Sequence, residues 1–574
     1  MINNTNKTLN TCTSCIKNIT QISQKDINQL LELLNCPPIK ITDPQVFTNI
    51  QNIFEKPLLT FKNSFLAILP ELFLFITIIA LLIYGLIFST NRKNKNIFIC
   101  QEILWLSCLT LILTICILTK NPFSNIIIFN NTLFIDNICH ISKIITLSAI
   151  ILTFLISFQY LKIYQINSYE YNILILISTL GTMFLISSYD LLSLYLALET
   201  QTLAFYVLTT YNRLSAYSTE AGLKYFILGA LSSGLLLFGI SLIYGITGTI
   251  NFTNLSYISQ YYNYISTSLQ ELPINSIKDL TQIITFSSIE FKIYLLGIVF
   301  ITSALLFKLA AVPFHMWTPD VYEGAPTTIT TFFAIIPKLP FFLIIIKLFY
   351  FNFYSIIHYI EFILIICAGL SMIIGSISAL QQQKIKRLFV YSSISHLGYM
   401  LIGLTSSTLL GLQGLFLYLI IYMITNLGLW TIFLSLNFKN KIGFIKYITD
   451  VTGLAQTNPY LSFCFTIILC SMAGIPPLAG FYPKLFMFMA AFQSNLPILP
   501  FIGIISSLIS AFYYLQIIKI MYFDKTQIQI EFEQIPQINA LIISLVTLFL
   551  LLFFLMPNFI LFTTYKMAFL SLIF

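Results

Sequence analysis

The chain has 574 residues, of which 57% are hydrophobic and only 9% charged, more apolar surface than a water-soluble globule of this length can cover. A formal charge of +8 is scattered over short loops and gathers on no one face, which argues against nucleic acid as a partner. The composition is that of an all-α, polytopic membrane protein.

Residues 1–63 read as a polar amino-terminal extension rich in Asn, Thr, Gln and Lys, with room for one modest helix near 26–34 and no run able to span a bilayer. The extension lacks the apolar core of a secretory signal, and Asp26, Glu32, Asp43 and Glu55 speak against an acid-poor transit peptide. Cys12, Cys15 and Cys36 make a CxxC plus one, short of the four ligands of a structural zinc. Cys108, Cys116, Cys367, Cys464 and Cys470 sit singly in apolar runs and read as small packing residues.

From Ser64 onward, apolar runs near the roughly 20 residues needed to cross a bilayer follow one another. They fall near 64–88, 97–119, 144–163, 171–188, 190–210, 220–246, 293–312, 325–350, 359–380, 388–407, 410–436, 460–490, 498–522 and 538–564. The expectation is a transmembrane bundle of about fourteen helices over residues 64–565, with 566–574 as a tail. Loops after odd-numbered spans hold Arg92, Lys93, Lys95, Lys162, Arg213, Lys384, Lys386, Arg387, Lys439, Lys441, Lys446 and Lys525. The opposite side has few cations, such as Lys120, Lys143 and Lys278. The positive-inside bias therefore places both termini on the side away from the cation-rich compartment.

Two blocks of five spans, near 171–350 and 359–522, share an anomaly: the fourth span of each is interrupted. The first break lies at Pro313, close to Lys308, and the second in AGIPPLAGFYPKL, where Gly474, Pro476, Pro477 and Gly480 precede Lys484. An odd number of helices per block inverts the second block relative to the first. Interrupted helices at matching places in inverted repeats mark an ion site near the midplane, and free backbone groups there need protein or water as partners.

Glu199, Lys224, Lys308, Lys338 and Lys484 are the charges hardest to place in loops. Intramembrane charge is costly and marks function by default. Glu199 and Lys224 lie in consecutive spans and are expected to pair. Unit charges about 4 Å apart attract by roughly 4 kcal/mol at an effective dielectric near 20, so contact keeps both ionised and separation favours proton loss from the lysine. A static structural pair is the competing reading. His396, among Ser392, Ser393, Ser395 and Tyr399, suits a hydrogen-bonded proton relay, and His315, just past the first break, is a secondary candidate. Asp190 and Glu220 are expected at helix ends, solvated or capping. Lys347 is expected to snorkel to the interface, where His140 and His358 also read as lying. Cysteine spacing for haem or iron–sulfur ligation, GxGxxG and the P-loop are all lacking, so no cofactor is assigned to this chain.

The segments LALETQTLAFYVL, STEAGLKYFILGALSSGLLLFGISLIYGITG, FKLAAVPFHMWTPDVYEGAPT, KIKRLFVYSSISHLGYM, GLAQTNPYLSF and SMAGIPPLAGFYPKL together resemble the antiporter-like subunits of respiratory complex I, in the branch of mitochondrial subunit 2 and bacterial subunit N. The resemblance covers almost everything after residue 63. It implies a subunit of NADH:ubiquinone reductase in the mitochondrial inner membrane, a translocase that couples electron transport to proton movement. NADH, FMN, iron–sulfur clusters and ubiquinone would be bound by other subunits, and the partners would be other membrane-arm subunits and lipids such as cardiolipin. By motif, Glu199 matches the family's fifth-helix glutamate and Lys224 its sixth-helix lysine. Lys308, Lys338 and Lys484 match the lysines of the seventh, eighth and twelfth helices, and His396 the tenth-helix histidine. The long extension and the prolines Pro337 and Pro340 around Lys338 depart from the pattern. An Mrp-type cation/proton antiporter, a plastid NDH subunit and a non-transporting structural subunit stay open as alternatives. Heavy use of Ile, Asn, Phe and Tyr fits an AT-rich organellar genome, and the missing targeting segment fits synthesis inside the organelle.

Overall fold

A computed structural model describes residues 61–89, 97–163, 169–212, 214–271, 280–437, 445–524 and 532–572. The amino-terminal CxxC, the helix expected near 26–34 and the cations Arg92, Lys93, Lys95, Arg213, Lys278, Lys439, Lys441 and Lys525 lie outside the described residues. In a lipid environment the backbone must satisfy its own hydrogen bonds, and here it does so almost wholly as helix. Hydroxyl side chains inside the helices are satisfied the same way: Ser178, Thr179 and Thr182 each donate to the carbonyl three residues earlier at 2.6 to 2.7 Å.

The described residues open with α1 (Phe61–Ala67), α2 (Leu69–Ser89) and α3 (Ile97–Lys120). A short antiparallel hairpin follows, β1 (Ile126–Ile128) and β2 (Leu133–Ile135), with Ile128 opposite Leu133, and it is the one sheet among the described residues of an otherwise helical fold. The first block follows a further helix, α4 (Asn137–Ile163), and comprises α5 (Glu170–Ser187), α6 (Leu191–Thr209), α7 (Ala216–Thr247), α8 (Phe252–Glu271) and α9 (Leu280–Leu309). It continues through the short helix α10 (Trp317–Gly324), then α11 (Thr327–Ile335) and α12 (Lys338–Ile346). The second block holds α13 (Ile357–Leu380), α14 (Ile385–Thr405), α15 (Leu409–Ser435), α16 (Leu454–Thr457), α17 (Pro459–Ala473), α18 (Phe481–Gln493) and α19 (Ile498–Tyr522), and α20 (Gln537–Leu552) and α21 (Asn558–Leu572) complete the chain. Among the described residues twelve spans are long and apolar enough to cross a membrane. The other two expected spans are present in pieces, 460–490 as α17 and α18, and 538–564 as α20 and α21 around Pro557.

Burial sorts these spans into layers. Over an 18-residue apolar stretch of each span, Thr327–Asn352 is wholly buried, Ile385–Thr405 is 94% buried and Leu409–Ser435 89%, whereas Leu69–Phe88 and Ala216–Thr247 are each 28% buried. A helix apolar on all sides belongs inside a bundle. The three innermost spans carry Lys338, His396 and the tyrosines Tyr418 and Tyr422, which places the polar chemistry at the centre.

Four expectations need correction. Lys143 is no loop cation: it lies inside α4, 2% exposed, and donates to Glu71 of α2 at 2.5 Å. Lys347 does not snorkel; the helix unwinds into a wider π turn over Lys347–Asn352, and the 4%-exposed ammonium bonds the Ile186 carbonyl at 2.5 Å. Cys116 is exposed, unlike Cys108 and Cys367. Asp190 does occupy the N-cap position of α6, but it is buried and its side chain caps nothing.

Burial pushes the Asp190 carboxyl up to about 6, despite the nearby Leu191 N–H, which favours the ion. A carboxyl raised in the folded state binds its proton more tightly there than in the unfolded chain. Its stabilising contribution is therefore full below the unfolded value of 3.8 and is lost as pH rises through about 6. Asp190→Asn is expected to flatten that decline when the thermal midpoint of the solubilised protein is compared across pH 4 to 7; parallel wild-type and variant curves would contradict it.

Candidate functional site

The first helix break frees Lys308. α9 stops at Leu309, four residues before Pro313, because Ala310 turns into the left-handed region at φ 66° and Ala311 N–H bonds back to Leu306. Trp317 closes the end by donating its indole N–H to the Phe307 carbonyl at 3.0 Å. Lys308 is left 7% exposed with no hydrogen-bond partner for its ammonium among the described residues. It lines a cavity of about 30 Å³ whose wall also includes Tyr225, Trp317, Phe333 and Lys338. That is room for a water, which the orphaned ammonium requires. Glu199, half-buried on α6, is within electrostatic reach of Lys308.

Lys338 opens α12, in a span that Pro337 divides from α11. The prolines flanking it thus set a second interruption in the first block, one the sequence left in doubt. Its ammonium is 5% exposed, donates to the Tyr422 hydroxyl of α15 and lies 4.0 Å from the centre of that ring. Tyr422 in turn lines a second cavity, of about 20 Å³, together with His396, Tyr418, Thr425 and Lys484.

Lys484 owes its position to the second break. Gly474 ends α17 at φ 84°, a conformation costly for any residue with a Cβ. A Cβ added there would also lie 3.0 Å from the Lys484 ammonium. The carbonyls that the break releases, Ala473 at 2.8 Å and Met472 at 3.3 Å, accept from Lys484. The ammonium also sits 5.2 Å from the Tyr399 ring centre.

The histidine is linked differently from expectation. Ser392, Ser393 and Ser395 bond back to their own helix. His396 instead meets the Tyr418 hydroxyl at 2.7 Å through Nδ1 and the Tyr514 hydroxyl at 3.3 Å through Nε2. His315 is buried beside the first break but touches neither cavity wall. Burial lowers its basicity, partly offset by the Pro313 carbonyl, so it is neutral at working pH.

The expected Glu199–Lys224 contact is absent. Lys224 is exposed and its ammonium pairs with Glu220 at 2.8 Å and Asp320 at 3.0 Å. Glu199 is left with a long 3.4 Å bond from Thr202. Glu220, expected to be solvated, is exposed yet ion-paired. His358 is exposed near Glu361, and His140 is half-buried against the Phe123 carbonyl at 3.0 Å.

The geometry therefore joins Lys308, Lys338, His396 and Lys484 through two small cavities and one tyrosine. The three lysines face aromatic rings, carbonyls and cavities, with no carboxylate in salt-bridge contact among the described residues. A cation–π contact is worth about 0.5 to 2 kcal/mol, against roughly 4 kcal/mol for a close ion pair at an effective dielectric near 20. Such weakly held ammonium groups can release a proton.

Comparison with known proteins gives the family. Residues 188–510 match the family described as NADH:quinone oxidoreductase/Mrp antiporter, TM. The NADH-ubiquinone oxidoreductase chain 2 of Marchantia polymorpha is 40% identical over 516 residues, covering 88% of this chain and 99% of that one. The chain belongs to the NADH:quinone oxidoreductase/Mrp antiporter membrane family. Within it, the NADH-quinone oxidoreductase subunit N of Paramagnetospirillum magneticum is 37% identical over 490 residues, 85% of this chain and 94% of that one. A chain of respiratory complex I from Thermus thermophilus with bound aureothin superposes with a TM-score of 0.66 at 25% identity, covering 86% of this chain and 98% of that chain. The family match spans Glu199, Lys224, Lys308, Lys338, His396 and Lys484.

Proposed function

We propose that this chain is a core proton-translocating subunit of respiratory complex I, coupling NADH oxidation by ubiquinone to proton transfer across the mitochondrial inner membrane. The observation that carries this reading is the file of buried groups from Lys308 through its cavity to Lys338, across the Tyr422 hydroxyl into the second cavity, and on to Lys484. The Glu199 carboxylate lies within electrostatic reach of the Lys308 ammonium and attracts it. When that influence weakens, Lys308 gives its proton toward Lys338, and repulsion between neighbouring ammonium groups moves charge on toward Lys484. His396, held by two tyrosine hydroxyls, bridges the second cavity laterally. The blocks near 171–350 and 359–522 act as inverted repeats that present their broken helices to one central file. NADH, FMN, iron–sulfur clusters and ubiquinone belong to other subunits, and neighbouring membrane-arm subunits and lipids such as cardiolipin surround this one. Both termini face the intermembrane space by the distribution of loop cations.

Lys308→Met and Lys484→Met, each in the assembled complex reconstituted in vesicles, are expected to lower the number of protons moved per NADH oxidised. An unchanged stoichiometry in both would refute the reading.

A further inference from the structure

One turn of α6 beyond the first cavity lies a buried amide that the lysine file does not use. Gln201 is fully buried, and neither its Nε2 nor its Oε1 has a hydrogen-bond partner among the described residues. It stands four residues before Phe205, which lines the Lys308 cavity, so the two share one face of the helix. A buried amide left without partners calls for water. Gln201 also packs on α5 where the two backbones approach closely: a Cβ added at Gly181 would lie 2.9 Å from the Gln201 nitrogen and 3.1 Å from its Cβ. Five residues further along α5, about 7 Å of helix rise, the Ile186 carbonyl accepts from Lys347 at 2.5 Å, and the Cys139 sulfur of α4 lies 3.5 Å from the same ammonium.

Lys347 is held as Lys484 is, inside the bundle by a carbonyl at the C-terminal end of a helix, where the backbone carries partial negative charge. Lys484 follows a broken helix, and Lys347 opens a π turn, a distortion found frequently at functional sites. A lysine in a lipid-spanning segment is costly to keep and marks function by default. Lys347 lies at the end of its span away from Lys384 and Arg387, to which α13 carries the chain back. Two buried acids stand at this end, Asp136 at the start of α4 and Asp190 at the start of α6. Tyr189 adjoins both: the Asp136 charge reaches its hydroxyl, and its ring lies 6.0 Å from Phe351 of the π turn. With its carboxyl pushed up to about 6, Asp190 can take and return a proton not far below neutral pH. We propose that Gln201 and Lys347 form a second outlet, through which the first block releases protons from the Lys308–Lys338 cavity to the cation-poor side without passing through the second block. The Lys347 ammonium gives its proton outward, toward Asp136 and Asp190, and becomes an amine. That amine then takes the proton arriving through water held on the Gln201 amide, so one proton leaves for each that enters. The amide donates from Nε2 and accepts at Oε1, orienting water without being protonated itself.

The outlet rests on the proposed translocation role, and the test separates the two. Protons moved per NADH are measured in the reconstituted complex for Lys347→Arg, Gln201→Leu and Lys484→Met, singly and in pairs. Arginine keeps the charge and the bond to Ile186 but cannot give up its proton, so a lysine that only braces the end of α5 is replaced without loss, whereas a releasing lysine is not. Lys347→Arg and Gln201→Leu are expected to lower the yield by the same fraction. Because they act in series, their pair falls no further than either alone. Each combined with Lys484→Met falls below Lys484→Met itself, because the two outlets run in parallel. A wild-type yield in assembled Lys347→Arg refutes the outlet; translocation then stands if Lys484→Met still lowers the yield and falls if that variant too is unchanged. Should Lys347→Arg fail to assemble, Gln201→Leu, which removes no charge, decides: a wild-type yield overturns the outlet.

Discussion

Lys338→Met is expected to slow coupled NADH oxidation by about tenfold or more and to lower the proton yield, while the complex still assembles. Positioned proton-transfer groups contribute roughly 10² to 10⁴ in rate. Among the described residues, Lys338 is the one ionisable group that both borders the Lys308 cavity and bonds to the Tyr422 hydroxyl bordering the next one. Methionine fills the same slot without charge, so packing is retained and the file is cut. Oxidation measured in sealed vesicles, with and without an uncoupler, checks this; normal coupled rates in a fully assembled variant would show that protons bypass Lys338.

The second large effect concerns stability. Glu71 and Lys143, 1% and 2% exposed and 2.5 Å apart, join α2 to α4 away from either cavity. Removing one partner of a buried pair leaves an uncompensated charge and costs about 3 to 5 kcal/mol, whereas replacing both by apolar residues of similar volume is often neutral. Lys143→Met alone is expected to lower the thermal midpoint and the amount of assembled complex sharply. Glu71→Leu combined with Lys143→Met recovers most of both, and the proton yield of the double variant stays at the wild-type level. A double variant as unstable as the single one would contradict a purely pairwise role.

These two positions also show where the sequence is legible. Lysines beside helix breaks announce themselves, because proline, glycine and charge in an apolar run conflict with a plain span. Lys308 and Lys484 are legible for that reason, as is Lys338 between Pro337 and Pro340, and His396 stands out among Ser392, Ser393 and Ser395. The partners were harder. Tyr418 and Tyr422 are two of 32 tyrosines in an aromatic-rich chain, and only their i, i+4 spacing, on the helix facing Lys338, sets them apart. Lys143 and Glu71 stand 72 positions apart, so nothing local couples them. Lys347 escapes a sequence reading because a π turn carries it inward where a regular helix end would not. Asp320 and Glu323, spaced i, i+3 in WTPDVYEG, form one anionic face of a short helix. That pattern could have named the partners of Lys224 had the competing glutamate in the preceding span not looked sufficient.

Ordered water is the most direct test of the central claim. A cryo-electron microscopy map of the assembled complex, sharp enough to show bound solvent, is expected to place water between Lys308 and Lys338 and between Tyr422, His396 and Lys484. Dry, separated cavities around these side chains, both at rest and during turnover, would contradict proton passage through this chain.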